Sequence, residues 1–327
     1  MTKIAIIGTG LCGLSVAHFL KDRAKITLFE KALGVSGRMS TRRAGIYFFD
    51  HGAQYFTART KVFHDFIQPL ISEGIIERWN ARYVKFDGDQ IIERKKWIDD
   101  EPRYVGVPSM NKIAKHMAEG LNVHINTRVI SIKRDDTWQL TDKSGQLYNN
   151  FDWVISTVPA TQATEFLPKT FKYYDHIKDI KMLACFSLML GFTEKLPLEF
   201  EAAHVINSDI SWIAVNSHKP RRAARFTLIV HSSEEYSEAH INDNRKTVMQ
   251  HLMNETSNVI GHDVSIADYQ NIHGWRYANN AKREYCQIFL DPDLKLAACG
   301  DWCLGGRIEG AFISAYNLIN TMKECVL

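Results

Sequence analysis

The stretch Gly8-Thr9-Gly10-Leu11-Cys12-Gly13 decides the fold. It fits the pattern G-x-G-x-x-G and stands in the context that pattern requires. Residues 3–8 read as a short buried strand before it, and residues 11–21 read as a helix after it, with Leu14, Ala17 and Leu20 near one face. Residues 25–30 read as a second strand, so the chain opens as a βαβ unit. In such a turn Gly8 permits the tight bend, Gly10 lets a pyrophosphate approach the backbone, and Gly13 allows close helix–strand packing, while helix N–H groups face the anion. Glu30 ends the second strand, about 20 residues on, where an acid accepts a hydrogen bond from a ribose hydroxyl and repels a 2′-phosphate, which argues against NADP in this site. A tight turn that binds nothing is the competing reading, and spacing, flanks and acid together weigh against it.

Beyond this unit, 327 residues are enough to close around two cores, and 45% hydrophobic with 24% charged residues excludes a disordered chain. With 40 Lys+Arg against 37 Asp+Glu the net charge is only +3, so no global field favours nucleic acid or a membrane surface. The six thiols, Cys12, Cys185, Cys286, Cys299, Cys303 and Cys325, are too sparse and uneven for a disulfide framework. Cys299 and Cys303 lie close together, but zinc needs a second pair of ligands and none is apparent, so no metal is expected. No signal-peptide pattern follows Met1, and no apolar run approaches the ~20 residues of a membrane span. A reduced, cytoplasmic setting is the expectation.

Along the chain, residues 62–72 predict a helix that Pro69 kinks or shortens, Asp87-Gly88 predicts a hairpin turn, and Pro108-Ser109 opens a helix ended by Gly120. Strands are predicted at 123–126, 129–134 and 152–157. Residues 160–290 mix short strands (184–191, 226–230) with one helix near 242–256 and hold no nucleotide motif. The last segment restores the opening pattern: strand 296–299, a glycine-rich turn, then a helix carrying Ile308, Ala311, Phe312, Ala315, Leu318, Ile319 and Met322 inward. The expected fold is α/β, a doubly wound Rossmann-like FAD/NAD(P)-binding domain with a second, mainly antiparallel-sheet substrate domain. The first is expected to be discontinuous, from residues 1–57, 105–160 and 292–327, and the second from 58–104 and 161–291.

Four further stretches identify a family. Residues 36–43 (SGRMSTRR), 49–59 (FDHGAQYFTAR), 273–278 (HGWRYA) and 300–311 (GDWCLGGRIEGA) closely resemble the renalase family of flavoproteins within the flavin amine oxidase superfamily, in that family's order. The resemblance implies noncovalent FAD, with the glycine loop through Cys12 and Gly13 at the phosphates, Glu30 on the adenosine ribose and Lys31 beside it. It further implies Gly37 and Arg38 near the phosphates, Val129 on adenine through its backbone, and Gln54 and Tyr55 beside the flavin. Asp301 matches the family's acid on the ribityl chain or its phosphate, and Arg307 and Ile308 lie where a helix N–H meets the flavin's pyrimidine oxygen, a place where helix polarity stabilises the charge of reduced flavin. Ser36-Gly37 stands where the family commonly has paired glycines.

The resemblance implies oxidation of the 2- and 6-dihydro isomers of NAD(P)H to NAD(P)+, with dioxygen reduced to hydrogen peroxide. Such a hydride donor needs its ring stacked at about 3–3.5 Å more than it needs an acid or base, so no catalytic base is named. Thr57, Arg59, Trp97, Ser187, Trp275 and Arg276, with Tyr55, are candidates for the ring site, although core packing also accounts for Trp97 and Ser187. Residues 219–225 (KPRRAAR) fit either steering of a dinucleotide's phosphates or a solvated loop. Cys303 fits either a covalent flavin link or a small buried hydrophobe, and His51 and His273 read as orienting hydrogen-bond partners. The expected partners are a small dihydronicotinamide dinucleotide and dioxygen, without nucleic acid or membrane. An amine oxidase with an aromatic cage, and a flavin-binding interaction protein without turnover, are the alternatives.

Overall fold

The computed structural model describes residues 1–99, 101–281 and 288–325; Cys286 lies outside them. The chain forms two compact units, Met1–Arg38 with Ala114–Met182 and Asn279–Leu327, and Met39–Ile113 with Leu183–Ala278.

The first unit is built on a six-stranded sheet, in the order Phe289–Asp291, Leu296–Ala298, Trp153–Ser156, Thr2–Ile7, Ala24–Phe29, Val123–His124. All neighbours are parallel except the first pair. Every residue of Trp153–Ser156 is buried, as a strand covered on both faces must be, which is why these strands read as unbroken apolar runs and not as alternating ones. Helices Leu11–Leu20 and Ile308–Cys325 lay Leu14, Ala17, Leu20, Ala315, Leu318 and Met322 against Ile4, Ile6, Ile26 and Leu28 in one core. An antiparallel meander, Val129–Arg134, Trp138–Asp142 and Leu147–Phe151, completes the unit. It is held to the sheet by the buried Trp138 indole, which donates to the carbonyls of Leu294 and Lys295 at 3.0 and 3.1 Å.

The second unit is built on a seven-stranded sheet, Tyr269–Asn280, Met182–Phe192, Phe226–Ser232, Ile210–Val215, Ala202–Ile206, Arg82–Asp87, Gln90–Lys96. The pairings that join Met182–Phe192, Phe226–Ser232, Ile210–Val215 and Ala202–Ile206 in succession, and Arg82–Asp87 to Gln90–Lys96, are antiparallel, while Ala202–Ile206 runs parallel to Arg82–Asp87. Period-2 alternation sends Phe186, Leu188, Leu190 and Phe192 to one face, where Val248, Leu252, Met253 and Val259 of helix Arg245–Ile260 cover them. Met189 and Ile229 meet Tyr47 and Phe49 of the hairpin Thr41–Ala44/Tyr47–Asp50 in a separate cluster. Tyr47 lies flat enough on the sheet that a Cβ on Gly191 would sit 2.7 Å from its ring. This packing is why residues 39–57 belong with the second sheet, whereas the sequence placed them with the nucleotide unit.

Helix Lys61–Ser72 runs through Pro69 to Ser72, so the proline neither stops it nor shortens it. Residues 234–240 form a short helix, capped by Ser233 onto the Tyr236 N–H, that the sequence pattern did not indicate. Among the described residues no helix is long and apolar enough to cross a membrane, and no cluster of His, Cys, Asp or Glu could hold a metal ion.

Candidate functional site

In the first unit the glycine loop is shaped by three steric facts. Gly8 has φ +108°, and a Cβ on Gly13 would stand 2.1 Å from the Gly8 carbonyl, so neither position accepts a side chain. A Cβ on Gly10 would meet nothing within 4 Å, and Gly10 starts the helix without any side-chain cap. The protein therefore leaves open space directly before a helix N-terminus, the arrangement that takes a phosphate.

Glu30 is buried at the end of its strand, and its two oxygens accept from three hydrogens: Thr9 N–H at 3.1 Å, Thr9 O–H at 2.6 Å and Ala32 N–H at 2.8 Å. It thus fixes the glycine loop, and with about four lone-pair positions it still has one for a ribose hydroxyl. The Thr127 N–H bonds the Glu30 carbonyl at 2.7 Å, which brings the start of Val129–Arg134 and its buried Val129 to the same strand end. Lys31 is exposed and donates to Gln162 at 2.9 Å.

The turn 36–39 lies over the loop: Ser36 N–H donates to the Thr9 carbonyl at 3.1 Å, and a Cβ on Gly37 would come 3.3 Å from Gly10 Cα. Ser36 itself has φ 130° and Gly37 φ 52°, so the serine occupies backbone that glycine prefers. Arg38 forks onto the buried Asp301, one arm at 2.9 Å to Oδ2 and the other to Oδ1. Gly305, Gly306 and Arg307 follow with φ of 76°, 83° and 75°, and this left-handed run delivers Ile308 to the first position of the last helix.

Cys12 is buried and sets its thiol 3.4 Å from the sulfur of Cys299. The hydrogen bond with Cys299, then burial, hold the Cys12 thiol well above its ordinary pKa. Cys299 is therefore partnered by Cys12 and not by Cys303, a pairing the sequence separation hides. Burial also pushes the Cys303 thiol upward, which leaves it the small buried group and a poor nucleophile.

The second unit holds a buried polar centre. Asp50 is fully buried; its Oδ1 accepts from Thr41 O–H at 2.6 Å and Met110 N–H at 3.0 Å, and its Oδ2 accepts from Arg222 Nε and Nη2 at 3.1 and 2.7 Å. Burial alone would raise this carboxyl, but the neighbouring Arg222 and Lys219 bring it down to about 2. Lys219, also buried, donates to Gln54 Oε1 at 3.0 Å and lies 3.6 Å from Asp50 Oδ2. Residues 219–225 were read as a solvated loop or a phosphate-steering run, and for Lys219 and Arg222 both readings are corrected, because these side chains point inward onto Asp50. Gln54 Nε2 donates to the carbonyls of Asp50 and Gly52 at 2.6 and 2.9 Å, so both of its amide hydrogens are engaged in this turn.

Beside this centre His51 stacks on Trp275 at 5.2 Å, His273 meets both rings edge-on, and the Trp275 indole donates to the His51 carbonyl at 2.8 Å. Burial, assisted by Arg42 and neighbouring cations or histidines, lowers His51 and His273 to about 4, and burial with Lys219 lowers His231 to about 3. All three rings are neutral at pH 7 and add no charge to the centre, while burial brings Lys219 down to about 7.

The remaining candidates separate. Tyr55 is half-buried and packs on Trp97 and Trp212, at 5.1 and 5.6 Å. Trp97 is 1% exposed, inside an aromatic cluster with Trp79 and Tyr83, and Arg103 lies 4.2 Å over its ring. Ser187 is wholly buried, its hydroxyl without a hydrogen-bond partner. Thr57 is half-buried, Arg276 is exposed, and Arg59 is paired with Glu101 at 2.7 and 3.0 Å. Asp50, Lys219 and Arg222 are the residues that sequence reasoning did not assign. Their visible signals were a lone acid in the 49–59 motif and the basic run 219–225, which stand apart in sequence, Asp50 and Arg222 by 172 residues.

Comparison with known proteins places this geometry. The model for an NAD(P)-binding Rossmann-like domain matches residues 6–70, and that for flavin containing amine oxidoreductase matches residues 81–317. Mouse and bovine prenylcysteine oxidase 1-like proteins are 32% and 31% identical over 102 and 103 residues, 29% of this chain in each case. The match spans only 20% of the length of those relatives. A crystal structure from Exiguobacterium sp. 255-15, provisionally designated a protoporphyrinogen oxidase, superposes over 99% of both chains with TM-score 0.76 at 12% identity. A cofactor-binding redesign of putrescine oxidase does so over 99% of both with TM-score 0.71 at 12% identity, and at such identity these likenesses speak for the fold alone.

Proposed function

Because the chain belongs to the flavin containing amine oxidoreductase family, and is thereby a flavin-dependent oxidoreductase with FAD as its cofactor, we propose that it is an oxidase of renalase type. The reaction takes a 2-dihydro, and also a 6-dihydro, isomer of NAD(P)H together with dioxygen and a proton to NAD(P)+ and hydrogen peroxide. The observation that carries this reading is electrostatic. The polar centre of the second unit holds three neutral histidines, Arg222 paired to its one carboxylate, and Lys219, which burial brings to about 7 and which is partly protonated at neutral pH; the resulting partial surplus of positive charge suits an anionic dinucleotide and disfavours an alkylammonium.

FAD supplies the hydride acceptor; the residues supply binding and orientation. Gly8, Gly10, Gly13 and the Cys12 N–H are proposed to take the pyrophosphate, Glu30 and Lys31 the adenosine ribose side, and Val129 the adenine through its backbone. The open space at Gly10 and the remaining lone pair on Glu30 support this assignment. Arg38, with Gly37 beside it, and Asp301 are proposed to divide between phosphate and ribityl groups, which requires ligand oxygens to take over part of their mutual fork. Ile308, presented by Arg307, offers an N–H at the start of a helix, suited to negative charge on the pyrimidine oxygen. Gln54 and Tyr55 are proposed at the flavin, with Thr57, Arg59, Trp275 and Arg276 toward the substrate. Trp97 and Ser187, being buried, would act there only by supporting Tyr55 and the strand Met182–Phe192 from within. No proton-transfer group is assigned, since stacking geometry is what a dihydropyridine donor needs.

The family's name favours amine oxidation as the second reading. Anaerobic stopped-flow mixing of the FAD-loaded protein with 2-dihydro-NAD(P), 6-dihydro-NAD(P), ordinary NADH and a panel of amines separates them. Rapid flavin bleaching by a dihydro isomer alone is the expected outcome. Bleaching by an amine alone moves the assignment to amine oxidase, and flavin that stays oxidised with every donor leaves a binding protein without turnover.

A further inference from the structure

Lys219 is a buried cation that Asp50 does not need. The Asp50 carboxylate is already neutralised by Arg222, which places two nitrogens on Oδ2, and its other oxygen is filled by Thr41 and Met110. Adding Lys219 leaves one carboxylate facing two cations, with side-chain exposures of 0% for Asp50 and Lys219 and 2% for Arg222. The ammonium has three donors, yet its one close acceptor is Gln54 Oε1 at 3.0 Å. Its other neighbours are Asp50 Oδ2 at 3.6 Å and the face of Trp79 at 5.4 Å. A desolvated, half-satisfied charge lowers stability, so a lysine kept in this place serves the one group it holds firmly.

That group is the Gln54 carboxamide. With Oε1 on Lys219 and Nε2 on the carbonyls of Asp50 and Gly52, the amide has a single orientation, and it ties residues 50–54 into a closed turn that leads directly into Tyr55. We propose that Lys219 is a positioning residue, whose ammonium fixes the Gln54 carboxamide and thereby the turn bearing His51 and Tyr55 in the form the flavin site uses. The role rests on the reading above that Gln54 and Tyr55 serve the flavin. It turns Lys219 and Arg222 inward, while Arg221 between them stays exposed on Glu77: Lys219 holds the amide of the turn and Arg222 its acid.

The test is a double-mutant cycle on the full chain loaded with FAD, using Lys219→Met, Gln54→Met and the double variant, with thermal midpoint, visible circular dichroism of the bound flavin, and anaerobic flavin reduction by 2-dihydro-NAD(P) as readouts. Lys219→Met is expected to keep or raise the thermal midpoint, to alter the flavin dichroism, and to slow reduction on the order of 10²-fold, as a misplaced reacting group does. The double variant is expected to be no slower than Gln54→Met alone, the signature of two residues acting through one another. A lowered midpoint with unchanged flavin dichroism and reduction overturns the proposal, leaving Lys219 a mere fold clamp. A Lys219→Met protein that does not fold overturns it as well. If Gln54→Met leaves the flavin signals unmoved while the thermal midpoints of the cycle are non-additive, the contact stands and the placement of Gln54 at the flavin is what fails.

Discussion

Arg222 sets both Nε and Nη2 on one oxygen of Asp50, at 3.1 and 2.7 Å, across 172 residues of chain. Removing one partner of a buried pair strands the other, which costs about 3–5 kcal/mol. Arg222→Met and Asp50→Asn are therefore expected to lower the unfolding free energy measured in urea by that amount, with Asp50→Asn the worse because it leaves Arg222 and Lys219 without a carboxylate. Equal stability to the parent in both variants would mean that water reaches this centre.

Gly10 and Gly13 make a contrasting pair. Alanine at Gly10 finds open space and a backbone, φ −68° and ψ 178°, that any residue adopts. Gly10→Ala should leave the unfolding of the FAD-free protein unchanged while weakening FAD binding at least about tenfold, since the methyl occupies the anion's approach. Gly13→Ala should fail to fold stably, because its Cβ would press 2.1 Å from the Gly8 carbonyl. Flavin titration by fluorescence quenching, beside thermal unfolding, reads both.

Ser36 holds φ 130° where glycine is at ease. Strain of this kind amounts to about 1–3 kcal/mol, and glycine's extra unfolded-state freedom offsets about 0.5–1 kcal/mol of the relief. Ser36→Gly should therefore raise stability by about 1 kcal/mol, seen as a higher denaturant midpoint at constant slope. A lower midpoint would mean that the serine side chain earns its place in that turn.

The pH dependence has one sign throughout. His51 and His273 at about 4 and His231 at about 3 all lie below the ordinary 6.5, so the unfolded chain binds more protons and stability is lost as pH falls from 6.5 toward those values. Asp50, lowered from 3.8 to about 2, adds stability that disappears over that last interval. Lys219, lowered from 10.5 to about 7 by burial, makes stability climb again as pH rises from 7 toward 10.5. Each fully engaged group contributes a slope of about 1.4 kcal/mol per pH unit. Urea unfolding across this range should show stability rising with pH both below and above neutrality, and Lys219→Met should flatten the alkaline side, with a smaller change on the acid side through His231 and Asp50.

The first unit was legible because its signals are local. The glycine loop, Glu30 and the inward face of the last helix each declare themselves within a few residues, and parallel strands buried on both faces leave unbroken apolar runs. The second unit was less so. Strands Ala202–Ile206 and Ile210–Val215 lie in a region read only as a mixture of short strands, and Trp97 looks alike in sequence whether it lines a site or, as here, fills a core. The Asp50–Lys219–Arg222 centre could not be assembled from spacing. A basic run of seven residues is ordinarily solvated, and nothing within it reveals an acid on a distant hairpin.

The parallel sheet of the first unit takes its neighbouring strands from three widely separated stretches, and Arg38 meets Asp301 across 263 residues. During synthesis the opening βαβ segment therefore lacks its Leu296–Ala298 sheet layer, and Arg38 its acidic partner, until the chain has been extended past residue 301. If these residues take FAD as proposed, its capture belongs to the late stages of translation, and a ribosome-bound chain stopped before Leu296 should emerge colourless however much FAD surrounds it.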